Sequence, residues 1–335
     1  MTVIGLLGDR TTTTAMALAV SWPGTRPVAL IEADPTGGSL LGWLDDASAP
    51  GRRRGRGGAE LTSGAGTPID VFLRDLERNG GAGSDRTLPD RVIPNGFKRV
   101  NNEGNTGEGP SADLDLDLNL NLDLDLDLEI VTAPIHPLEA ERAVARLPIA
   151  SPLTLETSHW REWCAERTCL IDLGCRPHRP LAGLNLSALD LLVVVVAQRS
   201  ASEGAAAAHI GRMTGVADQL RASAGAQPPV AVLVVGDRPF DPFEVGDHIR
   251  SRLGVVSHER VGDEAANEPS SGVFVLPSDP LAAAVLAGRA GMSARRWSKT
   301  RLGRAAAFAA RELAELTNGG LGDPVLNHHA EAVGG

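Results

Sequence analysis

The sequence predicts an α/β fold: a doubly wound, mostly parallel sheet with helices on both faces, built as one domain that a long insertion interrupts. Three observations predict it. Short apolar runs alternate with helix-patterned stretches, the rhythm of strand–helix–strand units. One run, "LDLLVVVVAQ" at 189–198, has no polar break across its valines, as a central strand buried on both faces requires. Hydrophobic residues make up 42% of the chain while aromatics make up 3% and Tyr is absent, so the core must be built from Leu, Val and Ala.

Residues 1–50 form the first part of the domain. Val3–Leu7 reads as a strand. Thr11–Trp22 follows, with Ala15, Leu18, Ala19 and Trp22 at helical spacing. Pro23-Gly24 stops that helix, and Val28–Ala33 is the second strand. Residues 51–123 break the rhythm. "GRRRGRGGAELTSGAGTP" and "NNEGNTGEGPSAD" hold too few apolar side chains to offset chain entropy, which predicts a largely disordered insertion between the second and third strands. Inside it, "PIDVFLRDLER" sets Ile69, Phe72, Leu73 and Leu76 at helical spacing, so a short helix near 69–77 should dock on the domain.

Leucine then occupies every even position from 114 to 128, with Asp or Asn between. Period two is the strand signature. Strands usually span roughly five or six residues, so only the end of the run, about Leu124–Thr132, should enter the sheet. The rest reads as a tandem-repeat extension. Its aligned carboxylates suggest calcium, but no glycine-turn repeat folds them around an ion.

The domain resumes over 124–317. "HPLEAERAVARL" is a helix, "TCLIDLG" a buried strand, and "LDLLVVVVAQ" the central strand. "SEGAAAAHIGRMTGVADQLRA" is helical, and "PPVAVLVVGDRP" is a strand ending in a turn. "GVFVLPSDP" is a strand followed by a helix start, with Asp279 as cap and Pro280 in the first turn. A last helix, about Arg301–Leu316, places Leu302, Ala306, Ala309, Leu313 and Leu316 on one face, and 318–335 reads as a flexible tail.

The net charge of −10 argues against a polyanion binder as a whole. Much of the excess is local, since 113–129 alone supplies six Asp and one Glu. No basic segment leads into an apolar one at the N-terminus, which predicts no signal peptide. No run of 18 or more apolar residues predicts a membrane span. Three cysteines, Cys164, Cys169 and Cys175, suit a reducing cytoplasm. His159 and His178 lie near them, but the zinc pattern lacks a CxxC pair, and isolated thiols are the simpler reading.

Six segments in order, "GDRTTTTAMALAVSWPG", "VALIEADPTGGSL", "CLIDLGCRP", "LLVVVVAQRSASEG", "VAVLVVGDRPFDPFEV" and "VFVLPSDPLAAAVLAG", resemble the MinD/ParA family of P-loop ATPases with a deviant Walker A. The resemblance covers about 1–50 and 128–316. It is closest to a degenerate MinD-like subgroup tied to chromosome partitioning or flagellar assembly, in which a threonine-rich stretch follows a lysine-free loop. The family implies ATP and Mg²⁺ at the carboxyl ends of the strands. It also implies an ATP-sandwiched homodimer and a DNA or membrane surface.

Carried over residue by residue, the resemblance is incomplete. The family loop reads K-G-G-x-x-K-[ST]. Anchored on the threonines, its phosphate lysine falls at Thr11, its metal hydroxyl at Thr12, its glycines at Leu7 and Gly8, and its signature lysine at Leu6. Both lysines and one glycine are therefore missing, and Asp9 adds a carboxylate where phosphate should sit. The cofactor-binding candidates are Gly8, Arg10, Thr11, Thr12 and Thr13, with free N–H groups at the helix start and Arg10 as a partial substitute for lysine. The alternative reading makes Gly8 and the threonines a plain turn and helix cap. Losing a charge-assisted contact costs about 1.5–3 kcal/mol, so nucleotide binding should be weakened and hydrolysis weak or absent.

Asp34 matches the water-activating catalytic aspartate, with Glu32 as its companion; otherwise it is an acidic strand end before a turn. Asp172 matches the Walker-B aspartate and, with Thr12, would hold Mg²⁺. A carboxylate there needs a solvated or paired place at the sheet edge. Asp237 falls near the adenine-contacting position. "GRAGMSARRWSKTRLGR" gathers Arg289, Arg295, Arg296, Lys299, Arg301 and Arg304 without an acid. It is either a solvated loop and helix face or a surface for DNA, anionic membrane or an acidic partner, with Trp297 packing on that partner. The last helix has an Ala-rich apolar face and should pack on the sheet rather than on lipid.

Two functions follow. One is a MinD/ParA-like protein with a weakened ATPase, acting in chromosome partitioning or in positioning a cell-envelope apparatus. The other is a nucleotide-free scaffold working through protein–protein contacts, with no cofactor, as in pilus or secretion positioning.

Overall fold

The structure is a computed structural model of the full chain. It describes residues 2–24, 26–38, 40, 67–69, 72–73, 128–149, 157–175, 184–198, 202–222, 228–254, 272–287, 292 and 294–318. Leu76, Arg289, His178, the Arg/Gly-rich stretch at 52–58, most of the Asp–Leu run and nearly all of the tail lie outside them.

Among the described residues, eight strands form one sheet: β1 (Thr2–Gly8), β2 (Val28–Glu32), β3 (Thr67–Pro68), β4 (Leu128–Thr132), β5 (Thr168–Asp172), β6 (Leu191–Ala197), β7 (Val230–Val235) and β8 (Val273–Leu276). Their order is β3-β4-β2-β5-β1-β6-β7-β8, and every pairing is parallel. Each alternation of side chains feeds a different core. Val3, Leu7, Ala29 and Ile31 face one layer, whereas Ile4, Leu6, Val28 and Leu30 face the other. Helices α2 (Pro137–Val144), α3 (Thr157–Ala165), α4 (Glu203–Ala222) and α5 (Pro242–Leu253) cover the first face. The second is covered by α1 (Thr11–Ala19), α6 (Pro280–Leu286), the single turn α7 (Ala294–Trp297) and α8 (Arg301–Asn318). The doubly wound α/β class is the one the sequence predicts.

Chain order reverses around β1, which has β5 on one side and β6 on the other. In open parallel sheets such a switch point leaves a crevice at the carboxyl ends of the strands. That crevice is where the sequence-derived candidates belong.

Two expectations need correction. The segment between β2 and β4 contributes an edge strand, so the stretch 51–123 interrupts the domain after its second strand but also supplies its third. Ile69, Phe72 and Leu73 are buried, and the Phe72 ring meets Trp163 at 4.9 Å and Trp160 at 6.5 Å, edge-on. These three residues dock as their spacing implied. Trp297 packs inside this chain: it is 3% exposed in the second core, and its indole N–H donates to Ser21 Oγ at 3.2 Å.

Candidate functional site

The elbow from β1 into α1 is only two residues long, Asp9 and Arg10. Leu6 and Leu7, aligned with the family's signature lysine and a loop glycine, remain strand residues in register with Val193 and Val194. Gly8 has φ +135, and a Cβ there would stand 2.0 Å from the Val195 carbonyl oxygen. Its glycine is thus explained by the close approach of β6. Gly8 N–H donates to the Gly174 carbonyl and Asp9 N–H to the Val195 carbonyl, each at 3.0 Å. Arg10 takes the left-handed conformation (φ 55, ψ 30) and makes no side-chain cap. A phosphate cradle needs successive N–H groups converging on one point. Here the Gly8 and Asp9 N–H groups are already bonded to backbone.

Behind the elbow lies a carboxylate cluster. Asp172, the last residue of β5, is fully buried in the sheet interior, not solvated at an edge. Its carboxylate accepts from Thr12 Oγ1 at 2.5 Å and from Gly174 N–H at 3.0 Å, with the Thr11 hydroxyl as a further partner. Burial pushes its carboxyl above the usual range; the three hydrogen bonds oppose that rise and the nearby Asp34 charge adds to it. Asp34 accepts from Thr36 N–H at 2.8 Å and Thr36 Oγ1 at 2.7 Å. It also rests on Gly174, where a Cβ would fall 2.2 Å from its Cγ. The structure therefore brings Thr11, Thr12, Asp34 and Asp172 together. Glu32 stands beside them in sequence but is a structural residue, accepting from Leu40 N–H at 2.9 Å and Ala133 N–H at 3.1 Å.

Asp9 turns away from the cluster. It is buried and contacts His209 Nδ1 on α4 at 3.0 Å and the Cys175 thiol at 3.6 Å. Arg212 reaches the same ring nitrogen at 2.6 Å. Sequence reasoning missed His209, because a partner 200 residues away leaves no local pattern.

On the other side of Arg10 is a cavity of about 180 Å³, lined among others by Arg10, Thr13, Val235, Pro277 and Asp279. Asp279 caps α6 by accepting from Ala282 N–H at 3.0 Å. Asp237 is not among the lining residues; its carboxylate meets Arg301 Nη2 at 3.3 Å on the surface. Arg295, Arg296, Lys299, Arg301 and Arg304 are all exposed. Cys164 and Cys169 are buried against one another, Sγ to Sγ 3.3 Å, and among the described residues no group of three metal-ligating side chains exists. No described helix is long and apolar enough to cross a membrane.

Thr12 and Asp172 offer the hydroxyl and carboxylate oxygens a Mg²⁺ ion prefers. The elbow departs from the family's phosphate loop. Strand residues stand where the loop should open, its N–H groups at Gly8 and Asp9 are bonded, and no lysine is present.

No protein-family model matches the chain, and no curated protein matches it. Solved structures do align along most of its length. A ParA family ATPase from Chlorobium tepidum TLS aligns at TM-score 0.48 and 12% identity, over 92% of this chain and 98% of that one. Apo McdA of Cyanothece aligns at 0.46 and 11%, over 94% and 100%. The MinC:MinD cell division protein complex of Aquifex aeolicus aligns at 0.44 and 13%, over 93% and 96%. The geometry around the elbow, not these alignments, carries the reading that follows.

Proposed function

We propose that this chain is a MinD/ParA-like positioning protein that works without hydrolysing ATP, as a scaffold for partitioning or cell-envelope machinery. The observation that carries the reading is the two-residue elbow, Asp9 and Arg10, which holds no lysine and whose approach from β1 is fixed by the Gly8 and Asp9 N–H bonds to the Gly174 and Val195 carbonyls. Phosphoryl transfer depends on positioned positive charge and aligned donors. An elbow without lysine, beside the buried Asp172 carboxylate, lacks the positioned cation and leaves the first-turn N–H groups of α1 as its remaining donors. The ordered sequence motifs support the MinD/ParA part of the reading. The free thiols fit a cytoplasmic place for it.

Phosphate release tests the reading. The protein should liberate no phosphate from ATP with Mg²⁺ above a Asp34→Ala control. Thr11→Lys alone should not restore turnover, because the elbow stays too short to open. Turnover that depends on Asp34 and Asp172 would overturn the proposal and favour an active, divergent ATPase using Arg10.

A further inference from the structure

The chain turns from α3 into β5 over Glu166 and Arg167, and the turn brings two thiols together. Cys164 lies in the last turn of α3, and Cys169 is the second residue of β5. Both are fully buried, and the Cys169 thiol donates to Cys164 Sγ at 3.3 Å. The turn is held from several sides. Arg167 N–H donates to the Cys164 carbonyl at 3.2 Å, and Thr168 N–H donates to the Pro27 carbonyl at 3.0 Å. The Arg167 guanidinium donates to the Trp163 carbonyl at 3.2 Å and to Glu129 at 3.3 Å, and it lies 4.8 Å over the Trp163 ring. The sulfurs therefore meet in a fixed place, at the amino end of β5 and away from the elbow. The chain has three cysteines, and two of them touch. Packing alone asks only for small apolar side chains there; two sulfurs in contact add a chemistry that Ala or Val would not.

We propose that Cys164 and Cys169 form a redox site, at which hydrogen peroxide converts the two thiols into a disulfide that fastens α3 to β5. A disulfide sets its sulfurs about 2 Å apart, so each need move by less than about 1 Å. The hydrogen bond sets the order of events. Cys169 S–H points at Cys164 Sγ, and burial pushes the Cys169 thiol well above its ordinary range, with nearby Arg167 easing the rise. Cys169 keeps its proton, and Cys164 is the sulfur that reacts first. Cys164 Sγ attacks one peroxide oxygen, the O–O bond breaks, and the departing hydroxide leaves as water with the Cys164 proton. Cys169 Sγ then attacks Cys164 Sγ. The S–O bond of the sulfenic acid breaks, the S–S bond forms, and the hydroxyl leaves as a second water with the Cys169 proton. The sulfurs lose two electrons and the peroxide oxygens gain them. Burial makes the reaction slow, which suits a sensor of sustained oxidant rather than a catalytic thiol. A small thiol reverses the bond by exchange. Because α3 also carries Trp160 and Trp163, on which Phe72 packs, the bond would hold the inserted segment's platform on the sheet.

Peptide mapping of the full chain tests this. The folded protein is treated with hydrogen peroxide, its remaining thiols are blocked, and it is digested without reduction. Trypsin cuts after Arg167, so the disulfide joins the peptide carrying Cys164 to the one carrying Cys169, and a thiol reductant parts them. The second peptide also holds Cys175, and Cys175→Ser assigns the linked sulfur. The oxidised chain should unfold at a higher urea concentration than the reduced chain. Cys164→Ala and Cys169→Ala should each abolish both the linked peptide and that shift. Thiols that stay free at 164 and 169 while Cys175 oxidises overturn the inference. So does a bond from Cys164 to Cys175, or a pair that links only once urea has unfolded the chain. A linked pair with an unchanged urea midpoint overturns the fastening of α3.

Discussion

Gly8 sets how closely β1 can approach β6, and Asp172 sets how the site responds to pH. Gly8→Ala would force a methyl onto the Val195 carbonyl at a φ of +135 that L-residues avoid. It should cost at least about 3 kcal/mol, measurable by urea denaturation; a loss below about 1 kcal/mol would mean that the elbow can shift freely. Asp172 works in the opposite sense. Burial raises its folded-state pKa above the unfolded value, so the folded protein binds that proton more tightly. The stability contributed is fully present at low pH and is lost as pH rises through the folded pKa. Asp172→Asn removes the ionisation. The variant should be more stable than the parent at pH 7, and the gain should vanish as the pH falls toward the ordinary carboxyl pKa. A less stable variant at pH 7 would show that the Thr12 and Gly174 hydrogen bonds outweigh the cost of burial.

Two helices begin alike, and only one was legible. Asp279-Pro280 marks the start of α6 in the sequence, and Asp241-Pro242 starts α5 by the same chemistry, with Asp241 accepting from Phe243 N–H at 2.9 Å and Glu244 N–H at 3.1 Å. Asp241→Ala should cost about 1 kcal/mol, read as a lower melting temperature; an unchanged value would remove the cap from the account. The helix α3 hid its pattern in Trp160, Trp163 and Cys164, whose purpose appears only once Phe72 packs on them. β6 was legible because a valine run buried on both faces tolerates no polar break. β3 was not, since two residues carry no period. In the site, Asp34 and Asp172 stand at or just beyond strand ends and Thr12 in the first turn of α1, all where the motifs mark them, whereas Asp9–His209 arises from folding alone. On α8, Leu313 is fully buried against the sheet, as its helical face implied. Leu313→Ala should cost about 2–5 kcal/mol, and a surface-like loss well under 1 kcal/mol would mean that the helix is not docked.

At the scale of the whole molecule, the fold positions a switch-point crevice but furnishes it with backbone-bonded donors and buried carboxylates. Its described surface carries the exposed side chains of Arg295, Arg296, Lys299, Arg301 and Arg304, with β8 as the last described strand of the sheet. The most direct test is isothermal titration calorimetry of the full chain with ATP in the presence and absence of Mg²⁺. The account predicts no saturable heat even at millimolar nucleotide. Saturable, Mg²⁺-dependent binding at sub-millimolar ATP, abolished by Asp172→Ala, would contradict it.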